Sequence, residues 1–412
     1  LIKNNNIILK NFSFFSILQF LQLFIGFLLF PYLISVLGKN NYGIIVFAQA
    51  VVGYFLLILN YGFNITATKK VAIYKNDSKK LCEIISITYI TKLFILLLIT
   101  IIFISLILLV PFFSKYKEIY FFTFISLIGW FLYPEWYFQG VEKMGNITYI
   151  ILVSKIISLI LILILVKAPL DFVYVPIINS LSMLISGILG IILLIKSLDK
   201  LGVFYFSYKN IKVNLIEGFS IFLSNITANT KDYFNTFIIG FFFNYDSVAI
   251  YDFANKIIKI LIIPTSILYR VFFPKISVTR SFKTIFKLES LSLLLSLFFI
   301  VIILLIPEEY YSIFVKSETT QFKKILLILS LSLPLLSLIG SRGMLGLVAF
   351  NYNKYFTLGI VLSMLFYCLT VLVLYYFNII SLFTISITLV LSLLVEFLSH
   401  NYFIKKKITN HV

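Results

Sequence analysis

The chain has 412 residues; 61% of them are hydrophobic and only 12% are charged, compared with about 25% in ordinary soluble domains. Lysine and arginine (34) outnumber aspartate and glutamate (16), which gives a formal net charge of +18. So few polar residues cannot cover the surface of a soluble fold. The composition therefore excludes a large soluble domain, a disordered chain and a secreted disulfide scaffold, and it predicts an all-α polytopic membrane protein.

Apolar runs of the length needed to cross a bilayer, about 20 residues, occur twelve times along the chain. They cover residues 12–37, 42–63, 82–110, 119–141, 147–166, 172–196, 215–243, 248–272, 285–306, 322–344, 355–377 and 379–404. The connections between them are short, so no soluble domain is expected between helices. The first run continues into the second, and we therefore expect no cleavable signal peptide.

Basic residues in the connections and at the ends of these runs predict the orientation of the chain. With the N-terminus placed inside the cell, 20 lysines and arginines lie in cytoplasmic segments and 7 lie in outer segments. Membrane proteins carry such an excess in their cytoplasmic loops. We therefore expect both termini in the cytoplasm, and we expect most of the positive charge to reflect topology rather than nucleic-acid binding.

A weak internal repeat divides the chain in half. Phe47-Ala48 aligns with Phe253-Ala254 at an offset of 206 residues, half of the chain length. With six predicted helices on either side, the halves share one orientation and are related by a pseudo-two-fold axis along the membrane normal. The sequence thus predicts two six-helix lobes, residues 1–205 and 206–412, and transporters commonly bind their substrate between such lobes.

Four segments of the chain have a distinctive sequence. They run from Pro31 to Phe55, Asn60 to Ala72, Pro134 to Met144 and Val248 to Ser277. The string PEWYFQG, within the third segment, is the most specific of them. In sequence and in order, these segments resemble the polysaccharide flippases, the Wzx-type O-antigen repeat-unit transporters of the MATE-like MOP superfamily.

The resemblance implies a MATE-like fold with a central cavity, in the cytoplasmic (inner) membrane of a bacterium. It implies a non-enzymatic carrier that moves undecaprenyl-pyrophosphate-linked oligosaccharide to the outer leaflet by alternating access, for O-antigen, capsule or exopolysaccharide assembly. The expected partners are this lipid-linked glycan, membrane lipids and the polymerase of the same pathway, without nucleic acid. No cofactor is expected, and coupling to a proton or sodium gradient is left open.

Ionisable residues inside the apolar runs are candidates for the transport site, because charges in a bilayer are costly and usually face a cavity. The basic candidates are Lys92, Lys155, Lys231, Lys256, Lys259, Arg270 and Arg342. The acidic ones are Glu135, Asp232 and Glu396, with Glu217, Asp252 and Glu289 at helix ends. The basic excess suits an anionic pyrophosphate. Arg270 and Arg342 lie near cytoplasmic ends, where snorkelling to the interface explains them equally well.

The seventh run is the most polar. At 100° per residue, two polar stripes run along it, formed by Ser220, Ser224, Thr227, Lys231 and Asn235 and by Asn225, Asn229, Asp232 and Thr236. We therefore expect this helix to line the cavity, with Lys231, Asn225 and Asn229 binding substrate and Asp232 binding a coupling ion. The alternative is a helix packed between others, held by interhelical hydrogen bonds.

Glu135 is the second candidate for binding a coupling ion. It follows Pro134, so a structural kink beside an interfacial aromatic belt is the alternative explanation.

Three other functions stay open. A MATE-type multidrug or cation antiporter would need intramembrane carboxylates rather than lysines. A membrane glycosyltransferase or repeat-unit polymerase would need a large outer loop, whereas the longest predicted one has about 15 residues. A membrane scaffold would not need buried charges on several helices. Cys82, Cys368, His400 and His411 show no metal-ligand or His-based nucleophile pattern.

Overall fold

The structure is a computed structural model that describes residues 2–198, 205, 207–315 and 318–407, and every regular element in these residues is helical. The first helices are α1 (Ile2–Asn60), α2 (Phe63–Ile73), α3 (Ser78–Leu109), α4 (Pro111–Ser114), α5 (Lys117–Leu132), α6 (Glu135–Gly140), α7 (Met144–Leu165) and α8 (Tyr174–Ser197), with a 3-10 turn at Pro169–Val173. The later helices are α9 (Tyr208–Phe242), α10 (Tyr245–Leu261), α11 (Ile263–Thr279), α12 (Phe282–Leu305), α13 (Ser312–Val315), α14 (Thr319–Ser330), α15 (Ser332–Ile339), α16 (Asn353–Tyr376) and α17 (Leu382–Lys407), with a 3-10 turn at Glu308–Tyr311 and a π-helical stretch at Gly340–Val348.

Eight helical stretches among the described residues are long and apolar enough to cross a membrane. They are Phe24–Ile73, Ser78–Leu109, Met144–Leu165, Pro169–Ser197, Phe282–Leu305, Thr319–Val348, Asn353–Tyr376 and Leu382–Lys406. The first has 50 residues, about 75 Å of helix against about 30 Å of hydrocarbon core. Gly38 interrupts it at φ +79°, a conformation that costs glycine little. The protein is thus a multi-pass membrane protein, while the count of twelve spans stays a prediction.

Prolines break three of the predicted runs. In each case one helix ends a few residues before the proline, α5 before Pro134, α10 before Pro264 and α14 before Pro334. Proline has no N–H to donate to the preceding turn, and its ring clashes with the carbonyl four residues earlier. Each of these runs looks continuous in hydropathy, because hydropathy measures the polarity of side chains and not the loss of a backbone hydrogen bond.

The first of two compact units comprises Leu1–Ile25 and Val36–Ile226. The aromatic residues of α6 lie in its core, packed against α2, α3, α7 and α8, and Trp136 and Phe138 are each 1% exposed. Small residues bring α5 and α8 together, since a Cβ built on Gly129 would lie 2.5 Å from the carbonyl oxygen of Met183. The PEWYFQG segment is thus a core element of this unit.

The second unit comprises Gly26–Ser35 and Thr227–Val412. Phe30 of α1 stacks on Phe253 of α10 with ring centroids 3.7 Å apart, and Phe253 stacks on Phe322 of α14 at 5.3 Å. These aromatic contacts explain why a short segment of α1 belongs to the second unit. The predicted lobe boundary after residue 205 falls inside the first unit, and the arrangement of two six-helix lobes stays a prediction.

Candidate functional site

Lys231 forms the centre of a buried polar cluster in the second unit. Its ammonium donates hydrogen bonds to Glu396 Oε2 at 2.9 Å and to Ser363 Oγ at 2.7 Å. Ser363 Oγ in turn donates to the carbonyl oxygen of Ser392 at 2.7 Å. Lys231 and Glu396 are only 5% and 7% exposed. The cluster therefore ties α9, α16 and α17 together through one buried ion pair.

Asn235 extends this cluster by one turn of α9. Its amide nitrogen donates to the hydroxyl of Tyr251 on α10 at 2.9 Å, and its carbonyl oxygen accepts a hydrogen bond from Tyr367 on α16. Asn235 is completely buried. Two members of the first predicted stripe, Lys231 and Asn235, thus contact protein groups inside the second unit, the arrangement of the packed alternative.

His400 belongs to the same cluster and was missed at the sequence level. It lies one turn after Glu396 on α17, is completely buried and interacts electrostatically with Glu396 and Lys231. Its Nε2 lies 3.0 Å from the carbonyl oxygen of Phe356. Because a carbonyl can only accept, this nitrogen carries a proton, and among the described residues Nδ1 has no hydrogen-bond partner. The i, i+4 spacing of Glu396 and His400 in an apolar helix was the available signal.

Arg342 and Glu289 form a second ion pair in the second unit. Arg342 Nη2 lies 2.8 Å from Glu289 Oε1, and the other oxygen of Glu289 accepts from Ser341 Oγ at 2.6 Å. The guanidinium also lies 4.8 Å from the ring centre of Phe286, a cation–π distance. The π-helical stretch Gly340–Val348 therefore presents Arg342 to protein partners on α12.

The basic candidates of α10 and α11 also have partners inside the protein. Lys256 forms an ion pair with Asp252, one turn earlier on α10, at 2.6 Å. Lys259 and Arg270 each have a hydrogen-bonding, ring or electrostatic interaction with another group. Asn225 of α9 is half-buried and has a partner as well. The side chains of Asn229 and Asp232 lie outside the described part of the structure.

Lys92 closes the end of a helix in the first unit. Helix α5 ends at Leu132, so its last carbonyls have no donors within the helix. Pro134, which has no N–H, cannot serve the carbonyl oxygen of Trp130. The Lys92 ammonium donates to the carbonyl oxygens of Trp130 at 3.1 Å and Phe131 at 3.4 Å. Tyr89 donates to the carbonyl oxygen of Leu132 at 2.9 Å. Two side chains of α3 thus supply the missing donors.

Glu135 lies beside this helix end. It is the first residue of α6, and its carboxylate interacts electrostatically with the Lys92 ammonium. The structure therefore brings together two of the predicted site residues, Lys92 and Glu135, at the Pro134 break.

Lys155 differs from the other candidates. It lies in the middle of α7 and is half-buried, and no described residue forms a hydrogen bond or ion pair with its ammonium. Nearby groups of α7 do have partners: the Ser158 hydroxyl donates to Asn179 Oδ1 at 3.1 Å, and the main-chain carbonyl oxygen of Ser154 accepts from the Ser182 hydroxyl at 2.8 Å. Of the predicted lysines that the structure describes, Lys155 is the one whose charge no described group offsets.

Within the first unit, a further set of polar contacts joins the start of α9 to α2 and α3. Lys70 of α2 lies 2.6 Å from Glu217 and 2.5 Å from the amide oxygen of Asn214. Asn210 donates to Glu83 of α3 at 2.9 Å. The sequence predicted these residues only as parts of cytoplasmic connections or helix ends.

Comparisons with known proteins place this arrangement in a family. A family model described as "Polysaccharide biosynthesis protein" matches residues 8–280. A curated relative from Escherichia coli (strain K12), named "Putative O-antigen transporter", is 28% identical over 66% of this chain. The match covers 65% of that relative's own length, less than two thirds.

Solved structures show the fold. The lipid II flippase MurJ in an inward closed conformation superposes with a TM-score of 0.72 at 17% identity, over 95% of this chain and 87% of that one. An inward-facing multidrug resistance MATE family transporter of the MOP superfamily superposes with a TM-score of 0.70 at 15% identity, over 95% and 99% of the two chains. These similarities confirm the predicted all-α, MATE-like fold. Together with the family match, they confirm the predicted resemblance: the chain belongs to the polysaccharide biosynthesis protein family.

Proposed function

We propose that this protein is a flippase that carries lipid-linked oligosaccharide repeat units from the cytoplasmic to the outer leaflet of the bacterial inner membrane by alternating access. The observation that carries the proposal is Lys155. This lysine lies about 16 Å from the start of the 22-residue helix α7, and no described protein group offsets its charge. A cation kept at membrane depth is costly unless an anion meets it.

A pyrophosphate-linked lipid fits this requirement. Its head group is anionic, and it needs cationic donors when it leaves water. Lys92, Lys231 and Arg342 already contact protein acceptors, so they would have to exchange these partners before binding a substrate. Lys155 needs no such exchange, and we therefore place it first among the predicted site residues. A multidrug cation would meet repulsion at the same position.

The comparisons support the same substrate class. The family description concerns polysaccharide biosynthesis, the Escherichia coli relative is named for O-antigen transport, and MurJ is named a lipid II flippase. We take undecaprenyl-pyrophosphate-linked glycan as the substrate and the polymerase of the same pathway as the partner that receives it. The proposal assigns the chain no chemical step, places both termini in the cytoplasm, and assigns a proton or sodium ion to Glu135 or Asp232 if transport is coupled.

Deletion and complementation in the native host test the proposal. Loss of the gene should leave lipid-linked repeat units inside the cell and reduce surface polysaccharide, and the intact gene should restore it. Normal surface polysaccharide in the deletion strain would contradict a flippase. Lost resistance to cationic drugs, without any change in polysaccharide, would favour the antiporter instead.

A further inference from the structure

An apolar groove of about 360 Å³ runs along α3 in the first unit. Its walls are apolar residues of α3, α5 and α8, among them Ile85, Tyr89, Ile90, Leu132, Leu194 and Ile195. The lining residues of α3 recur every three or four positions and so form one face of the helix. Leu93 and Ile195 are 44% and 40% exposed. The groove is therefore open at the outer surface of these helices.

A polar cavity of about 220 Å³ lies at one end of this groove. Lys75, Asn76 and Ser78 line it from the connection between α2 and α3, and Lys143 lines it from the start of α7. The ammonium groups of Lys75 and Lys143 are cationic donors, and the cavity therefore offers positive charge to an anion.

The groove and the cavity adjoin each other. Leu198 lines both, and Leu81 of the cavity precedes Cys82 of the groove in α3. Lys75 forms an exposed ion pair with Glu142 at 3.5 Å, so one of the two lysine charges is offset and a net charge of +1 remains. The combined surface consists of the polar cavity, which carries a small positive charge, and the apolar groove.

We propose that this surface binds one anionic phospholipid, with its phosphodiester beside Lys143 and Lys75 and one acyl chain in the groove along α3. A phosphodiester with a single negative charge matches the net charge of the cavity. The segment of α3 from Cys82 to Leu93 is about 16 Å long, close to half of the roughly 30 Å hydrocarbon core. The groove therefore matches the length of a phospholipid acyl chain in one leaflet, whereas an undecaprenyl chain is too long for it.

This site is separate from the substrate path proposed above. Lys155 does not line the groove or the cavity, so the phospholipid would be a resident lipid at the side predicted to be cytoplasmic. Anionic lipids concentrate in that leaflet and are attracted to lysines near its surface. Binding there would hold the α2–α3 connection and the α6–α7 connection in one arrangement.

The two tryptophans of the chain provide the test. Trp136 packs on Tyr89 of the groove with ring centroids 5.9 Å apart, and Trp130 directly precedes the groove residues Phe131 and Leu132. The full chain is reconstituted in phosphatidylcholine vesicles that contain phosphatidylglycerol with brominated acyl chains, and tryptophan quenching is measured. We expect brominated phosphatidylglycerol to associate about fivefold more strongly than brominated phosphatidylcholine, the factor for one surface charge.

Variants separate the site from general attraction to the surface. Lys143→Gln should abolish the preference for phosphatidylglycerol, and Ser86→Leu should lower quenching by filling the groove. Lys79→Gln removes an equivalent exposed charge that does not line the cavity and should leave quenching unchanged. Equal quenching by the two lipids, or an equal loss in Lys79→Gln and Lys143→Gln, would overturn the proposal. Complete displacement of brominated phosphatidylglycerol by an equal mole fraction of undecaprenyl phosphate would also overturn it, because the site would then belong to the polyprenyl lipid.

Discussion

Lys231 and Glu396 are 165 residues apart in the chain, yet their Nζ and Oε2 atoms lie 2.9 Å apart in the second unit. Both side chains are nearly inaccessible to solvent. Removal of one partner from a buried ion pair leaves an uncompensated charge, which costs far more than replacement of both partners by apolar groups. The pair is therefore first of all a constraint on how α9 packs against α17.

A double-mutant cycle tests this role. Lys231→Met should lower the free energy of unfolding by about 3 kcal/mol, because Glu396 then stays buried and unpaired. The double variant Lys231→Met/Glu396→Leu should recover most of that loss. Thermal unfolding of the purified protein in detergent measures both effects. Additive losses in the double variant would show that the two side chains do not stabilise each other. Lys155→Met serves as the control because no carboxylate among the described residues pairs with Lys155.

Lys155 is expected to affect transport rather than stability. Lys155→Ala should reduce surface polysaccharide about tenfold, the order of one charge-assisted hydrogen bond, while the amount of protein in the membrane stays unchanged. Lys155→Arg should retain most of the export because the charge is kept. Lys167→Ala, in the connection after α7, is the matched control and should export normally. Full export by Lys155→Ala would remove this residue from the substrate path.

Lys92 and Tyr89 should stabilise the first unit to different degrees. Tyr89→Phe removes one hydrogen bond to the carbonyl oxygen of Leu132 and should cost about 1 kcal/mol. Lys92→Met should cost about 3 kcal/mol, because it leaves buried carbonyls without a donor and Glu135 without its cation. Thermal unfolding of the two variants ranks these effects. Equal losses of stability in the two variants would mean that the interaction of Lys92 with Glu135 does not stabilise the first unit.

The predicted orientation can be measured at the C-terminal end of α17. A reporter enzyme active only in the cytoplasm, fused after Lys407, should be active. A reporter that needs the periplasm should be inactive there. The reverse result would place the C-terminus outside the cytoplasm, and it would contradict the combination of a cytoplasmic N-terminus with twelve spans.

The local features of the fold could be predicted from the sequence to different extents. The start of α8 near residue 172 and the long helices α12, α16 and α17 follow directly from apolar runs, because an isolated span must satisfy its own backbone in lipid. A kink at Pro134 was one of the two explanations that the sequence offered for Glu135, and α5 does end there. The breaks after α10 and α14 were not predicted, although Pro264 and Pro334 stood in the sequence. A proline kinks or ends a helix depending on whether neighbours can satisfy the freed carbonyls, as Lys92 and Tyr89 do for α5.

The candidate site shows the same limit. Intramembrane lysines were found because any charge in an apolar run is conspicuous, but the sequence could not say which of them has a partner. Arg342 looked equally suited to snorkelling and to a cavity, and the structure pairs it with Glu289 on another helix. His400 was set aside for its position near the C-terminus, although it lies one turn from Glu396.

The sequence by itself determined the class of this protein: a multi-pass, all-helical membrane protein with a basic excess, of the polysaccharide biosynthesis protein family. Composition and hydropathy suffice for this because transfer of apolar side chains into lipid depends on each residue almost independently of the others. Only the tertiary structure decided that Lys231 meets Glu396, that Lys92 closes α5 and that Lys155 has no described partner. Such pairings depend on which helix faces lie together. The helices that pack against each other can be more than a hundred residues apart in the chain. A local sequence pattern therefore does not show which faces are in contact.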